Sequence, residues 1–188
     1  GYVGDVGTEY NNVSTGQDLS DERSEAELFE EAEELAAQCD YVIFIGGLNK
    51  SHQQDSEGSD RLALNLPYNQ DALIRRLAAI NPNLVVVNIS GNAVAMPWIN
   101  EVPAIVQGWF LGSEAGNALA NVLTGKVNPS GKLPFSFPVK LSDNAAHALG
   151  AYPGENGNVE YKEGLLVGYR WHDAKNIKPL FSFGHGLS

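Results

Sequence analysis

The 188-residue sequence has a single cysteine, Cys39, so no disulfide forms within it and the redox compartment stays unread. Cys39 closes a helical pattern and reads as a small core residue rather than a nucleophile. Apolar runs are short, and none approaches the roughly 18 residues that a membrane-spanning helix needs. Positive charge is scarce: 12 Lys and Arg stand against 23 Asp and Glu, for a net charge of −11. No basic stripe interleaved with aromatics occurs, which argues against a nucleic-acid partner. Methionine is missing from position 1, and Gly1-Tyr2-Val3 has neither a charged nor an apolar leader region. Either a leader has been removed or the sequence is an excised piece of a longer chain, and its targeting cannot be read.

What is present is a soluble, globular composition with 43% hydrophobic and 19% charged residues. The acidity is concentrated: residues 1–40 hold twelve Asp or Glu and only Arg23 as a base, while the remainder is balanced. That concentration fits the solvated face of a helix. Ser24 and Glu27 have the spacing of a capping box, and Leu28, Ala32, Leu35, Ala36 and Cys39 recur at helical intervals behind them. Tyr41-Val42-Ile43-Phe44-Ile45 follows without alternation, as expected of a strand covered on both faces. The pattern repeats. An amphipathic helix over 70–80 is broken by Asn81-Pro82-Asn83 and leads into a second buried strand over 84–89. A third strand is expected over 103–109 and a helix over 112–123.

Helices and strands alternating over short connections predict an α/β fold, an open and mainly parallel sheet with helices on both faces, a three-layer αβα sandwich. The character changes after Pro134. Residues 138–160 carry Pro138, Gly150, Pro153, Gly154 and Gly157 and read as a long surface loop, and residues 161–188 are rich in aromatics. The expected division is therefore a sandwich domain over 1–140 and an irregular aromatic tail over 141–188. That tail packs either on the sandwich or on something larger.

The segment between the first strand and the second helix concentrates the chemistry: Gly46-Gly47-Leu48-Asn49-Lys50-Ser51-His52-Gln53-Gln54-Asp55-Ser56-Glu57-Gly58. Loops at the carboxyl ends of strands are where open α/β sheets hold ligands. Phosphate cradling is one reading of the Gly-Gly pair and Lys50-Ser51, but neither nucleotide-loop spacing is present. Metal ligation by His52, Asp55 and Glu57 is a second, and it matches no strong zinc or calcium pattern. A third makes Glu57 a proton donor, its pKa raised by the neighbouring Asp55 and Asp60 and opposed by Arg61. No nucleophile elbow is present: Ser90-Gly91 follows a strand but lacks the preceding glycine. His52, His147, His172 and His185 are scattered and read as structural or solvated, and Trp98 and Trp109 read as core residues before sugar platforms.

Six tracts taken in order resemble family 3 glycoside hydrolases, the β-glucosidase and β-xylosidase group, in their C-terminal α/β-sandwich domain. They are Ala36–Gly46, Glu57–Pro67 with its Glu-Gly-Ser-Asp-Arg core, Gln107–Ala120, Asn128–Pro134, Tyr161–Arg170 and Pro179–Ser188. The resemblance implies a retaining exo-β-glycosidase in which a β/α-barrel domain supplies an aspartate nucleophile. The sandwich lends Glu57 as general acid/base. Asp60 and Arg61 would brace the loop, and His52, Gln54 and Asp55 would lie near the sugar or its leaving group. The implied substrate is a β-linked oligosaccharide or glycoside, the implied partner a barrel domain of the same parent chain, and the implied compartment periplasmic or secreted. No cofactor and no metal are called for. The family also carries another strand and helix ahead of Gly1, so the sandwich is expected to lack its first strand–helix unit and the isolated chain to be inactive. A non-catalytic carbohydrate-binding or interaction module of the same fold is the alternative reading.

Overall fold

The computed structural model describes residues 21–49, 53–55, 58 and 60–188. They fall into two compact units, one running to Gly112 and one spanning Ser113–Ser188. The first is built on helix α1 (Glu25–Gln38), strand β1 (Val42–Gly47), helix α2 (Gln70–Ile80) and strands β2 (Leu84–Ile89) and β3 (Ala104–Gln107).

Helix α1 starts where the capping box places it. The Ser24 N–H donates to Glu27 Oε2 at 2.7 Å and the Glu27 N–H donates to Ser24 Oγ at 3.3 Å, which satisfies two of the orphan donors of the first turn. Glu25 and Glu27 also place negative charge against the positive end of the helix dipole. At the other end Asn81, only 5% exposed, turns its side-chain amide onto the Ala36 and Cys39 carbonyls at 3.0 and 2.7 Å. The residue that ends α2 therefore also closes α1. The two helices are held together further out by Asn69 Nδ2 donating to Glu25 Oε1, by the Arg76–Glu33 ion pair, and by the Arg76 guanidinium lying 5.1 Å over the Phe29 ring.

The sheet has the order β1-β2-β3, and both pairings are parallel. Val42, Phe44 and Gly46 register with Leu84, Val86 and Asn88, so they share one face of the sheet, and α2 packs on β1 and β2. The core is centred on Ile74 and Leu77 of α2, on Leu84, Val86 and Val87 of β2, and on Val94 and Trp98 of the segment beyond β2. Each such side chain contributes about 1.5–3 kcal/mol through its removal from water. Trp98 is a core residue, as its sequence context suggested, and its indole N–H donates to Asp71 Oδ1 at 2.7 Å.

The structure departs from the sequence-based expectation on the outer side of this unit. Strand β1 is an edge strand among the described residues, and Ile43 and Ile45 are 49% and 61% exposed rather than covered. Leu35 and Cys39 of the α1 stripe are exposed as well, since α2 covers only the part of the stripe holding Leu28, Phe29 and Ala36. Cys39 is thus a free surface thiol at the helix end and not a core residue. A groove of about 600 Å³ follows this edge, with Leu35, Cys39, Tyr41, Ile43 and Ile45 along it.

The second unit holds α3 (Ala115–Leu123), α4 (Ala145–Ala148) and α5 (Tyr169–Lys175). Its organising feature is a pairing of the aromatic tail with the segment Leu133–Phe137, antiparallel at Phe137 and Phe181. The Phe137 N–H donates to the Phe181 carbonyl, Leu180 N–H to Phe137, Leu133 N–H to His185 and Gly184 N–H to Leu133. Phe135 stacks on Phe137, Phe137 meets Phe181 edge-on, and Tyr169 stacks on Phe183 at 5.3 Å. The histidines here pack against neighbouring groups. His185 tilts against Phe181, His147 packs edge-on to Tyr152, and buried His172 places Nδ1 3.2 Å from the Ile177 carbonyl.

Asn81→Ala leaves two helix-end carbonyls without their buried donor and should cost the protein about 2 kcal/mol of stability, measured by denaturant unfolding. Asn81→Asp, which keeps the shape but removes the donors, should cost at least as much.

Candidate functional site

Because the three strands run parallel, the loops that follow them leave the sheet at one edge. Strand β1 ends in Gly46-Gly47, and the structure shows why both residues lack side chains. A Cβ on Gly46 would sit 2.4 Å from Gln70 Oε1, and one on Gly47, whose φ is 136°, would sit 2.0 Å from the Ile89 carbonyl oxygen. Gln70, buried at the start of α2, accepts from the Gly47 N–H at 2.7 Å and donates to the Gly47 carbonyl at 2.9 Å. Its side-chain amide thereby satisfies both polar groups of the last β1 residue. The glycine pair is accounted for by close packing of backbone and amide.

Beyond it the chain turns back on itself. The Leu48 N–H donates to Ile89 O at 2.8 Å, the Asn49 N–H to Gln54 Oε1 at 3.0 Å and the Asp55 N–H to Asn49 O at 3.0 Å. Gln54 is buried and donates through Nε2 to the Tyr68 hydroxyl. Gln53 between these contacts has φ 62°, a left-handed conformation that costs a non-glycine residue of order 1 kcal/mol.

Two charged side chains then bind this loop to the segment that leaves β2. Asp55 accepts from the Gly91 N–H at 2.6 Å through Oδ2 and from Asn92 Nδ2 at 3.3 Å through Oδ1. Arg61 reaches three carbonyls, donating to Ala93 O at 2.9 Å, Leu64 O at 2.9 Å and Ala63 O at 3.2 Å. Partial burial pushes the Arg61 guanidinium below its ordinary pKa, the Asp55 carboxylate opposing the shift, and an arginine in this range remains charged. The loop after β3 meets the same place: the half-exposed Phe110 ring lies against Gly91, where an added Cβ would stand 3.0 Å from the ring and 3.4 Å from Asp55 Oδ2. Beneath them Ser90, fully buried, donates to the Asn92 carbonyl and accepts from Asn88 and Gln107, which occupies its hydroxyl structurally.

Of the four residues singled out from sequence, Gln54 and Asp55 lie on this edge and are joined by the Asn49 turn. His52 and Glu57 lie outside the described residues. The metal alternative rests on those same two positions together with Asp55; among the described residues no three His, Cys, Asp or Glu side chains come together. Sequence reading passed over Gly91, Asn92 and Phe110. Their one visible signal is position, since each follows a parallel strand within five residues of its end.

The whole chain, residues 1–188, matches the family model described as the glycosyl hydrolase family 3 C-terminal domain. The chain belongs to glycosyl hydrolase family 3. It is 59% identical over 160 residues to beta-glucosidase BoGH3A of Bacteroides ovatus, an alignment covering 84% of this chain and 21% of that protein. Against thermostable beta-glucosidase B of Acetivibrio thermocellus it is 46% identical over 175 residues, with 93% and 23% covered. Among solved structures, the beta-glucosidase of Kluyveromyces marxianus in complex with glucose superimposes with a TM-score of 0.83 at 43% identity, covering 88% of this chain and 20% of that one. DesR, a beta-glucosidase of Streptomyces venezuelae in complex with D-glucose, gives 0.81 at 40% identity. The chain thus spans about a fifth of the length of the curated relatives it matches. The parallel sheet with its helices is the α/β sandwich of the family 3 C-terminal domain. No helix among the described residues is long and apolar enough to cross a membrane.

Arg61→Ala removes the donor from three carbonyls of this family 3 loop and should loosen it by about 1–2 kcal/mol. Limited proteolysis within residues 48–66 should accelerate roughly tenfold in consequence. Arg61→Lys should recover only part of the protection, because one ammonium cannot reproduce the spread of a guanidinium.

Proposed function

We propose that this domain serves a retaining β-glycosidase of the beta-glucosidase kind and that Glu57 is its general acid/base. The observation that carries the reading is the 59% identity to a beta-glucosidase over 160 residues, in a chain that holds the Glu-Gly-Ser-Asp-Arg tract. The geometry adds support: the described ends of the loop containing that tract are bonded to the carboxyl edge of a parallel sheet, the position where α/β proteins put their ligands.

In this mechanism a second carboxylate, contributed by a barrel domain outside the chain, attacks the anomeric carbon while Glu57 gives its proton to the departing glycosidic oxygen. The C–O bond breaks, a glycosyl-enzyme forms, and the Glu57 carboxylate then takes a proton from the water that releases the sugar. The substrate class is a β-linked glycoside cleaved at its non-reducing end, and His52 is assigned to the side of the sugar or its leaving group. No cofactor enters the chemistry.

Glu57→Ala in the full-length protein should lower turnover of alkyl or unactivated aryl β-glucosides by about 10²–10⁴, the usual contribution of a positioned proton donor. Azide should restore part of the activity on a nitrophenyl β-glucoside and yield the β-glucosyl azide. Full turnover of a poor leaving group by that variant would remove Glu57 from the reaction.

A further inference from the structure

The acid/base reading accounts for Glu57 but not for the way the chain on its amino-terminal side is tied down. We propose that Asp55 is a positioning residue for the proton-transfer step, holding the start of the Glu57 segment on the segment that leaves β2; this rests on the assignment of Glu57. Asp55 stands two residues before Glu57, and both of its carboxylate oxygens are engaged by Gly91 and Asn92. The 2.6 Å bond from the Gly91 peptide is in the short range of charge-assisted hydrogen bonds. Four residues past Glu57, Arg61 donates to Ala93. The two ends of the Asp55–Arg61 stretch are therefore anchored on three consecutive residues, Gly91 to Ala93. Two residues of chain span at most about 7 Å, so an anchor at Asp55 limits how far position 57 can range.

The anchor site is shaped for this use. A Cβ on Gly91 would crowd the Phe110 ring at 3.0 Å and touch the Asp55 carboxylate at contact distance, and Ser90 beneath it holds the Asn92 carbonyl at 2.7 Å. A loop end tied by two hydrogen bonds to the segment just beyond a strand has less freedom to lose on reaching the reactive geometry. Displacement of a reacting group by about 1 Å costs on the order of a hundredfold in rate. The competing role for Asp55, direct contact with the sugar, makes a different kinetic statement: it would serve binding alike for every leaving group.

The test compares Asp55→Ala, Asp55→Asn and Asn92→Ala in the full-length protein on two substrates, a methyl or phenyl β-glucoside and 2,4-dinitrophenyl β-glucoside. Only the first pair needs protonation of the leaving oxygen. Asp55→Ala should lower kcat/KM, which reports the glycosylation step, by about 10–100-fold on the poor leaving group and by less than about threefold on the dinitrophenyl substrate. Asp55→Asn keeps an oxygen acceptor for the Gly91 N–H and should recover most of the loss. Asn92→Ala, which removes only the longer bond, should fall between Asp55→Asn and the parent protein. A fall in kcat/KM shared equally by both substrates would assign Asp55 to sugar binding, or, with a lowered melting temperature, make it merely structural; either overturns the proposal. If Asp55→Ala does not fold, the decision passes to Asn92→Ala, where a loss confined to the poor leaving group supports the role and equal losses refute it. Glu57→Ala run alongside separates the two claims: if it shows no leaving-group dependence the acid/base assignment fails, whereas a steep dependence there and none in the Asp55 variants refutes the positioning role alone.

Discussion

The contact on which the candidate site depends is the approach of Gly47 to Ile89 on one side and to Gln70 on the other. It joins the end of β1 to the end of β2 and to the start of α2 at one point, with the glutamine amide satisfying a backbone donor and acceptor of an edge strand. A side chain at either glycine would force these groups apart, because the atoms it would meet are a backbone carbonyl and the amide that satisfies the strand. With the strand ends fixed in this way, the loops behind them emerge side by side, and short polar contacts between them become possible.

Those contacts divide the work between charge and backbone. Asp55 offers negative charge to the Gly91 N–H, and Arg61 offers positive charge to the carbonyls of Ala93, Ala63 and Leu64. Each charge is thus satisfied mainly by backbone, so the loop's position follows from the sheet rather than from flexible side chains. The second unit applies the same economy elsewhere. Its aromatic tail is fixed by five backbone bonds to the segment Leu133–Phe137, and ring contacts fill in between them. Trp171 adds a buried bond from its indole to the Asp143 carbonyl.

Much of the fold was legible from residue order. The capping box at Ser24 and Glu27, the helix over 70–80 and the strand over 84–89 stand where periodicity and chain breakers put them, since these signals act within one turn or one strand. The parallel arrangement followed from helices alternating with strands. Burial was less legible. The apolar run of β1 predicts cover on both faces, yet Ile43 and Ile45 are open, because cover depends on what lies beside a strand and hydrophobicity alone carries no record of it. Leu35 and Cys39 were misjudged for the same reason: helical spacing marks a stripe, and only the neighbouring helix decides how wide a part of it is buried.

The candidate site divides along the same line. Residue order by itself determined the family, the α/β class and the presence of a carboxylate-rich loop after the first strand, since each rests on local pattern or on motifs in series. Only the tertiary structure decided that Asp55 meets Gly91 and Asn92, that Arg61 serves three carbonyls, and that Gln70 closes the end of β1. Apart from the Arg61 bonds to Ala63 and Leu64, these contacts join positions 23 to 37 residues apart. They arise because parallel strands bring their carboxyl ends together, and no periodicity in the intervening chain announces which polar atoms will then lie within 3 Å of one another.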